Sequence, residues 1–397
     1  MKKVFRLFLL IFISSITASL TSCDTSTMLY ILNWDEYINE DLIEAFEEEY
    51  NCTVILDIAQ SNETMFSKIV SDAAPYDIAF PSDYMVDQMI NCDDSDIDTP
   101  IIKKLDYSKL STDSKTYNPN DIFDPKLMSL IDSNCKELKE YCVPYFWGSL
   151  GIMYNKETLT QEQIAIIEEK GWAVLFEKEL LGDVRIGMYA SARDSIASAL
   201  LYNGYSLNTR DFVELQKAGD SLGNMDYYAW ATDDLKTGVV SRKYDLALVY
   251  SGDYFDMLIS DYYDAFEDEN IDIEEYEAGY GMFVPEVNNV FFDAMVIPEN
   301  SQQTELAYEF IKFMIEYENA FMNATYVGYC PTQSRVLERM QLITDDPSDE
   351  YSGDYPLKLI SGMSNYYPGN VQKGEIYKYL YTETYGVYDQ IYKKVKK

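Results

Sequence analysis

The sequence predicts an α/β protein of two lobes that are joined by crossing strands. Residues 28–80 alternate strand and helix signals in a β-α-β-α-β order, a second α/β series follows residue 148, and apolar segments connect the two. Consecutive β-α-β units imply a parallel sheet with right-handed crossovers. The chain has 397 residues, enough for two lobes, and its 47% hydrophobic residues supply their cores.

The first lobe is predicted from three short strands with helices between them. Apolar and β-branched runs predict strands at residues 28–32, 53–58 and 76–80. Asn39 is a suitable N-cap for the first helix, in which Leu42, Phe46 and Tyr50 fall on one face. A second helix is predicted around residues 65–69.

The second lobe is predicted from a similar alternation between two crossing segments. The segments are residues 143–155 and the return crossing at 290–298, and between them lie strands at 184–189 and 246–250 and a helix at 191–202. Residues 260–278 are rich in Asp, Glu and Tyr and predict an exposed acidic loop. A helix is predicted to follow Pro298, with apolar residues at helical spacing.

The N-terminus has the pattern of an export signal. Basic residues precede a short apolar core at 7–16, and Leu20-Thr21-Ser22-Cys23 resembles a bacterial lipobox, in which the cysteine carries the lipid. We therefore expect a lipid-anchored protein at the outer face of the cytoplasmic membrane or in the periplasm; an ordinary cleaved signal is the alternative. The expected divisions are signal 1–22, tether 23–27, lobe 1 at 28–147, lobe 2 at 148–290, a return to lobe 1 at 291–336, and a C-terminal part of lobe 2 at 337–397.

The composition excludes several classes of function. The formal net charge of −37 argues against nucleic-acid binding through phosphates and would attract a cationic ligand. The chain has no histidine, which excludes Ser-His-Asp and Cys-His catalysis. The cysteines form no C-x-x-C zinc pattern, and spacing alone does not decide whether Cys135 and Cys142 pair. We expect no metal and no cofactor.

Polar and aromatic residues follow the first and third predicted strands. In a parallel sheet, ligands bind beyond the carboxyl ends of the strands. The segments there are Asn33-Trp34-Asp35-Glu36-Tyr37 and Ser82-Asp83-Tyr84. The sequence therefore predicts a ligand site at this edge.

Further short motifs complete a resemblance to a known family. They are, in chain order, residues 29–37, 61–65, 76–77, 81–84, 144–148, 192–194, 204–206, 293–298, 328–329 and 331–332. Their collinearity along the chain after the signal resembles the spermidine/putrescine-binding proteins of ABC importers. The resemblance implies a periplasmic-binding-protein type II fold, two α/β lobes closing over ligand in a cleft, a permease as partner, and no enzymatic activity.

The chemistry of a polyamine suits these residue types. A buried ammonium group needs carboxylates or other acceptors, because an unpaired buried charge is costly. The methylene segments need apolar walls. Aromatic rings serve both needs, and each cation–π contact contributes roughly 0.5–2 kcal/mol.

The resemblance implies ligand-binding residues from both lobes. Trp34 and Tyr37 would stack on the ligand, and Asp35 and Glu36 would accept from an ammonium group. Asp293 would be the principal acceptor. The other implied residues are Ser82, Tyr84, Asp194, Tyr250, Phe291, Tyr329 and, at a C-terminal polar contact, Tyr377 or its neighbour Lys378.

Two positions leave the choice between spermidine and putrescine open. Ser191 stands where spermidine-binding members tend to carry an acid, whereas Asp253 stands where putrescine-type members place one. Other interpretations remain as well. Trp34 and Tyr37 would then only pack at a strand end, and Asp194 would form a surface pair with Arg193. The alternative functions are binding of a sugar, an amino acid or iron, a carboxylate-dependent hydrolase, and an adhesin or sensor.

Overall fold

Strands and helices alternate along the computed structural model, which describes residues 27–71, 74–111, 116–232, 234–268, 271–273, 275–343 and 353–396. The strands are β1 (Thr27–Asn33), β2 (Cys52–Ile58), β3 (Ile78–Ala79), β4 (Cys142–Asn155), β5 (Ile186–Tyr189), β6 (Ala229–Ala231), β7 (Leu246–Tyr250), β8 (Tyr280–Phe283), β9 (Val287–Val296), β10 (Cys330–Pro331) and β11 (Lys373–Glu375). The predicted signal and its Cys23 lie outside the described residues.

Helices connect these strands along the whole described chain. They are α1 (Glu40–Tyr50), α2 (Asn62–Val70), α3 (Asp83–Asn91), α4 (Pro119–Ile122), α5 (Pro125–Asn134), α6 (Gln161–Lys170), α7 (Ala192–Tyr202), α8 (Phe212–Gly223), α9 (Asp234–Val240), α10 (Ser251–Glu267), α11 (Thr304–Ile315), α12 (Tyr317–Val327), α13 (Ser334–Gln341), α14 (Tyr355–Ser361) and α15 (Tyr381–Val395). Within the described ranges, none of them is both long and apolar enough to cross a bilayer.

The sheet of the first lobe has the strand order β2-β1-β3-β9-β4-β10. β1 pairs in parallel with β2 and β3, as the β-α-β-α-β pattern predicts. Asn39 caps α1 by accepting a hydrogen bond from the Asp41 N–H (3.0 Å), which confirms the predicted cap. The third strand is shorter than predicted and covers only residues 78–79.

The sheet of the second lobe has the order β8-β4-β7-β5-β6. β5 is parallel to β6 and β7, whereas β7 is antiparallel to β4. β4 is buried along its whole length, and its partner changes from β9 to β7 between Ser149 and Leu150. β4 therefore crosses from one sheet to the other, and β11 pairs with β9 at residues 287–289.

One prediction about the later part of the chain differs from the structure. Residues 260–267 are the end of α10 and not part of a loop, because Leu258, Tyr262 and Ala265 lie at helical spacing and are buried. α13 packs against α12 and β10. α15 packs against α7 and α8 of the second lobe.

A buried carboxylate joins β3 to the start of α11. Asp77 is fully buried, and its Oδ1 accepts hydrogen bonds from Ser301 Oγ, Gln302 N and Gln303 N at 2.8–2.9 Å. Its Oδ2 accepts from Tyr30 N at 3.0 Å. The carboxylate thus satisfies donors from β1 and from the turn before α11.

Replacing Asp77 with alanine is expected to lower the free energy of unfolding by about 2–4 kcal/mol, because several donors would be left buried without an acceptor. Chemical denaturation of the Asp77→Ala variant measures this effect. Asp98→Ala, at an exposed position, is the control and should change stability by less than about 0.5 kcal/mol. Equal stability of the two variants would contradict this role of Asp77.

Candidate functional site

A buried carboxylate on β9 lies at the centre of the first half of the site. Asp293 is 6% exposed. Tyr37 Oη donates to its Oδ2 at 2.6 Å, and Ser82 Oγ donates to its Oδ1 at 2.7 Å. Ser82 and Asp293 also face each other as a backbone bridge. Tyr37, which follows β1, and Ser82, which follows β3, therefore both donate to one carboxylate on β9.

The two donors to Asp293 are themselves held in place. Asn62 accepts from Ser82 N and donates to Ser82 Oγ, both at 3.0 Å. Tyr145 Oη donates to the carbonyl oxygen of Tyr37 at 2.8 Å. Asn62 thus holds Ser82, and Tyr145 holds Tyr37, in the positions from which they donate to Asp293.

The electrostatic state of Asp293 is set by burial. Burial raises the pKa of this carboxyl group to about 6, and the hydrogen bonds from Ser82 and Tyr37 oppose the rise. Among the described residues, no lysine or arginine nitrogen lies within 4.0 Å of this carboxylate. A cationic group placed here would therefore supply the charge that the protein itself does not provide.

A second buried carboxylate lies at the start of α7 in the second lobe. Asp194 is 5% exposed, and its Oδ1 accepts from Tyr250 Oη at 2.7 Å and from Tyr377 Oη at 3.0 Å. Ser191 is the N-cap of α7, and its Oγ accepts from Asp194 N at 3.3 Å. The structure thus brings four predicted residues into one cluster.

Aromatic rings pack around each of the two carboxylate clusters. Tyr250 makes edge contacts with Phe291 and with Tyr189, at centroid distances of 5.0 and 5.3 Å. Tyr37 contacts Tyr329 edge-on at 5.1 Å. A Cβ atom at Gly252 would lie 2.1 Å from the Tyr329 ring, so this ring position requires glycine there.

Comparison with known proteins places the chain in a family. A family model described as bacterial extracellular solute-binding protein matches residues 41–349. The chain belongs to this family. A solved ABC-transporter protein from Listeria monocytogenes is 30% identical, with a TM-score of 0.70 over 94% of this chain and 99% of that one. These findings confirm the predicted family and the two-lobed α/β fold.

Two further proteins, both named for spermidine and putrescine, are similar to this solute-binding protein. The spermidine/putrescine-binding periplasmic protein of Escherichia coli is 27% identical over 330 residues, covering 81% of this chain and 82% of that protein. The substrate-binding protein of a spermidine/putrescine ABC transporter from Streptococcus pneumoniae is 28% identical, with a TM-score of 0.70 and coverage of 94% and 99%.

Asp253 and Trp34 of the solute-binding protein lie beside these clusters with partners of their own. Asp253 accepts from Tyr329 Oη at 3.3 Å, and Lys236 Nζ lies 3.6 Å from the same carboxylate oxygen. Trp34 Nε1 donates to the carbonyl oxygen of Phe80 at 2.7 Å, which fixes the edge of the indole ring. Asp253 therefore already has a cationic neighbour, unlike Asp293.

Asp35 and Glu36 are not brought to the buried carboxylates. Both are exposed, in the turn after β1, and Glu36 has a positive φ of 51°. Among the described residues, neither side chain hydrogen-bonds to the clusters around Asp293 and Asp194.

The alternative of a surface pair between Arg193 and Asp194 is wrong. The two side chains are 6% and 5% exposed, so both are interior. No nitrogen of Arg193 lies within 4.0 Å of a carboxylate oxygen of Asp194, since the guanidinium group stacks instead on the ring of Tyr84, 3.8 Å from its centroid. α7 buries its first turn against the other lobe, which helical periodicity alone does not indicate.

Sequence reasoning did not assign a role to three residues at the site. Asn62 positions Ser82, Tyr189 packs on Tyr250, and Asp83 accepts from Tyr84 N at 2.6 Å and from Phe292 N at 3.3 Å. Burial raises the pKa of Asp83 well above its usual range. The only indication of Asn62 and Asp83 in the sequence is that they lie within two of the motifs, 61–65 and 81–84, that carry the family resemblance. Within the described part of the chain, no three acidic or cysteine side chains are grouped as for a metal ion.

Removing either hydrogen bond to Asp293 should raise the pKa of its carboxyl group above about 6, because both bonds favour the ionised form. The variants are Ser82→Ala and Tyr37→Phe. Carbon-13 NMR titration of protein labelled at aspartate carboxyl groups measures the pKa. Tyr202→Phe, which removes a tyrosine hydroxyl that donates to the exposed Glu177, is the control. A pKa that stays at about 6 in both variants would contradict the conclusion that these two hydrogen bonds lower the pKa of Asp293.

Proposed function

We propose that this solute-binding protein captures a polyamine, spermidine or putrescine, and delivers it to the permease of an ABC importer. The observation that carries the proposal is the pair of buried carboxylates, Asp293 and Asp194, one from each side of the cleft. Each accepts hydrogen bonds from tyrosine, and neither forms an ion pair within 4.0 Å in the described chain. Two ammonium groups on one ligand would satisfy both. The similarity to the spermidine/putrescine-binding proteins of E. coli and S. pneumoniae supports this ligand class.

The rings around the carboxylates suit the rest of such a ligand. Tyr250 and Phe291 come from β7 and β9, and Tyr37 and Tyr329 form a second aromatic pair near Asp293. Methylene groups pack on ring faces, and ammonium groups are attracted to them. A linear diamine or triamine has both the ammonium groups that the carboxylates would pair with and the methylene groups that the rings would contact.

Binding by this route needs no covalent step. Contacts from both lobes would stabilise the closed arrangement when a ligand bridges them, and the closed form would then dock on the permease. We propose, accordingly, that the protein is not an enzyme. We also propose that Cys23 carries a lipid that keeps the protein near its membrane partner.

The contacts of Ser191 and Asp253 do not decide between spermidine and putrescine, because each side chain already has a partner within the protein. Ser191 uses its hydroxyl to cap α7. Asp253, the acid expected in putrescine-type members, has Lys236 at 3.6 Å. A direct comparison of ligands is therefore the decisive test.

A thermal-shift titration of the protein without residues 1–22 tests the ligand class. Putrescine, spermidine, spermine and cadaverine are the test ligands, and lysine and maltose are the controls. One or more polyamines should raise the Tm in a saturable manner, because a ligand that binds only the native state stabilises it. Protein shown to be free of carried-over ligand that responds to no polyamine, or responds equally to maltose, would overturn the proposal.

Neutral variants of the two carboxylates should bind the preferred polyamine at least about thirtyfold more weakly, because each removes one partner of a buried charge pair. The variants are Asp293→Asn and Asp194→Asn, with Asp98→Asn at an exposed position as the control. Isothermal titration calorimetry measures Kd. Affinity that is unchanged in Asp293→Asn would show that the site lies elsewhere.

Affinity should also fall in acid, because the pKa of Asp293 is about 6 and an ammonium group pairs with the ionised form. Binding is at full strength well above pH 6 and weakens by about tenfold per pH unit below it. Kd measured at pH 7.5 and pH 5 should therefore differ about tenfold. Asp293→Asn should lose most of this dependence, and a Kd independent of pH in the unmodified chain would contradict the assignment.

A further inference from the structure

Arg193 is a buried cation at the boundary between the two lobes. It belongs to the first turn of α7 in the second lobe and is 6% exposed. Its guanidinium carbon lies 3.8 Å from the ring centroid of Tyr84, which belongs to α3 of the first lobe. Tyr84 itself packs against the hydrophobic cores of both lobes.

The surroundings of this guanidinium group are aromatic. The rings of Tyr377 and Tyr385 lie 5.5 and 5.9 Å from it, and its Nη1 donates to the carbonyl oxygen of Lys378 at 3.2 Å. Its Nε is buried without a hydrogen-bond partner. Arg193 thus contacts α3, α15 and the segment that follows β11, and it obtains its stabilisation mainly from ring faces.

This arrangement leaves the neighbouring carboxylate available. Asp194 is the next residue, yet its Oδ1 accepts from Tyr250 and Tyr377 and is not paired with Arg193. If the guanidinium group were paired with Asp194, an ammonium ligand would have to displace it. Because Arg193 stacks on Tyr84, its guanidinium group does not compete with an ammonium ligand for the Asp194 carboxylate.

The segment that follows β11 is tied to the same helix of the first lobe. Tyr379 N donates to Asp87 Oδ2 at 2.8 Å, and Asp93 accepts from the hydroxyl groups of Tyr379 and Thr382. Asp87 lies one turn beyond Tyr84 on α3. The carbonyl group that Arg193 contacts, at Lys378, is thus held directly beside α3.

We propose that Arg193 is a positioning residue that latches the lobes in the closed arrangement by stacking on Tyr84. Opening the cleft separates α7 from α3 and breaks this contact. The latch would favour the closed arrangement in ligand-free protein. It would also slow ligand release, and this effect rests on the proposed polyamine function. Because the contact forms only in the closed arrangement, its loss should change the dissociation rate more than the association rate.

The direction of the effect separates a latch from a simple charge effect. Arg193 has the same sign of charge as a polyamine. If it acted only through that charge, its removal would strengthen binding and slow release. The latch predicts the opposite result, faster release.

The variants are Arg193→Met, which keeps the length but removes the charge, and Arg193→Lys, which keeps the charge but loses the planar guanidinium group. Arg210→Met is the matched control, because Arg210 stacks on Tyr381 at 4.3 Å within the second lobe. Stopped-flow release of the preferred polyamine should be about tenfold faster in Arg193→Met, intermediate in Arg193→Lys and unchanged in Arg210→Met. In a Tyr84→Leu background, Arg193→Met should give no further acceleration.

Small-angle X-ray scattering of the ligand-free variants gives a readout that needs no ligand. Arg193→Met should have a larger radius of gyration than the unmodified chain and than Arg210→Met. Release that is unchanged or slower, or equal radii of gyration, would overturn the latch. If Arg193→Met does not fold by circular dichroism, the same criteria apply to Arg193→Lys. If no polyamine binds the unmodified chain, the proposed function fails, and the scattering result still decides the latch.

Discussion

The antiparallel pairing of β4 with β9 is the constraint on which the rest of the structure depends. The two strands are paired from Cys142–Val296 to Ser149–Val290, and this pair lies within the sheet of the first lobe. β4 then continues into the second sheet by pairing with β7 and β8. Since every residue of β4 is buried, the strand serves as an interior element of both lobes. Its position determines where the lobes can meet.

The functional residues lie where they do because of this pairing. Asp293 and Phe291 are on β9, and Tyr250 ends β7, so a carboxylate and two rings are carried by strands next to the crossing. An ionised carboxylate in such an interior is costly unless it is hydrogen-bonded and paired with a cation. The protein provides the hydrogen bonds through Tyr37 and Ser82, and burial nevertheless raises the pKa of Asp293 to about 6.

Tyrosine has a double role in this chain. It makes up 36 of the 397 residues, far more than one cleft can hold. At the site, its hydroxyl group donates to Asp293 and Asp194, and its ring packs on other rings and on Arg193. Elsewhere, buried residues such as Tyr244, Tyr366 and Tyr388 fill the cores. The same side chain can therefore satisfy a buried carboxylate and form an apolar wall.

The sequence by itself determined the fold class, the order of the first strands and helices, the cap at Asn39 and the place of Asp293 in a buried apolar run. These are local features: hydrophobic periodicity, capping residues and a carboxylate within an apolar run are all visible along the chain. Only the tertiary structure decided that Asp35 and Glu36 are exposed and that Arg193 stacks on Tyr84 instead of pairing with Asp194. It also decided that residues 260–267 continue α10 and that α13 packs against α12 and β10. Those outcomes depend on contacts between segments that are distant in sequence, as between Tyr37 and Asp293, and such contacts leave no periodic signal in either segment.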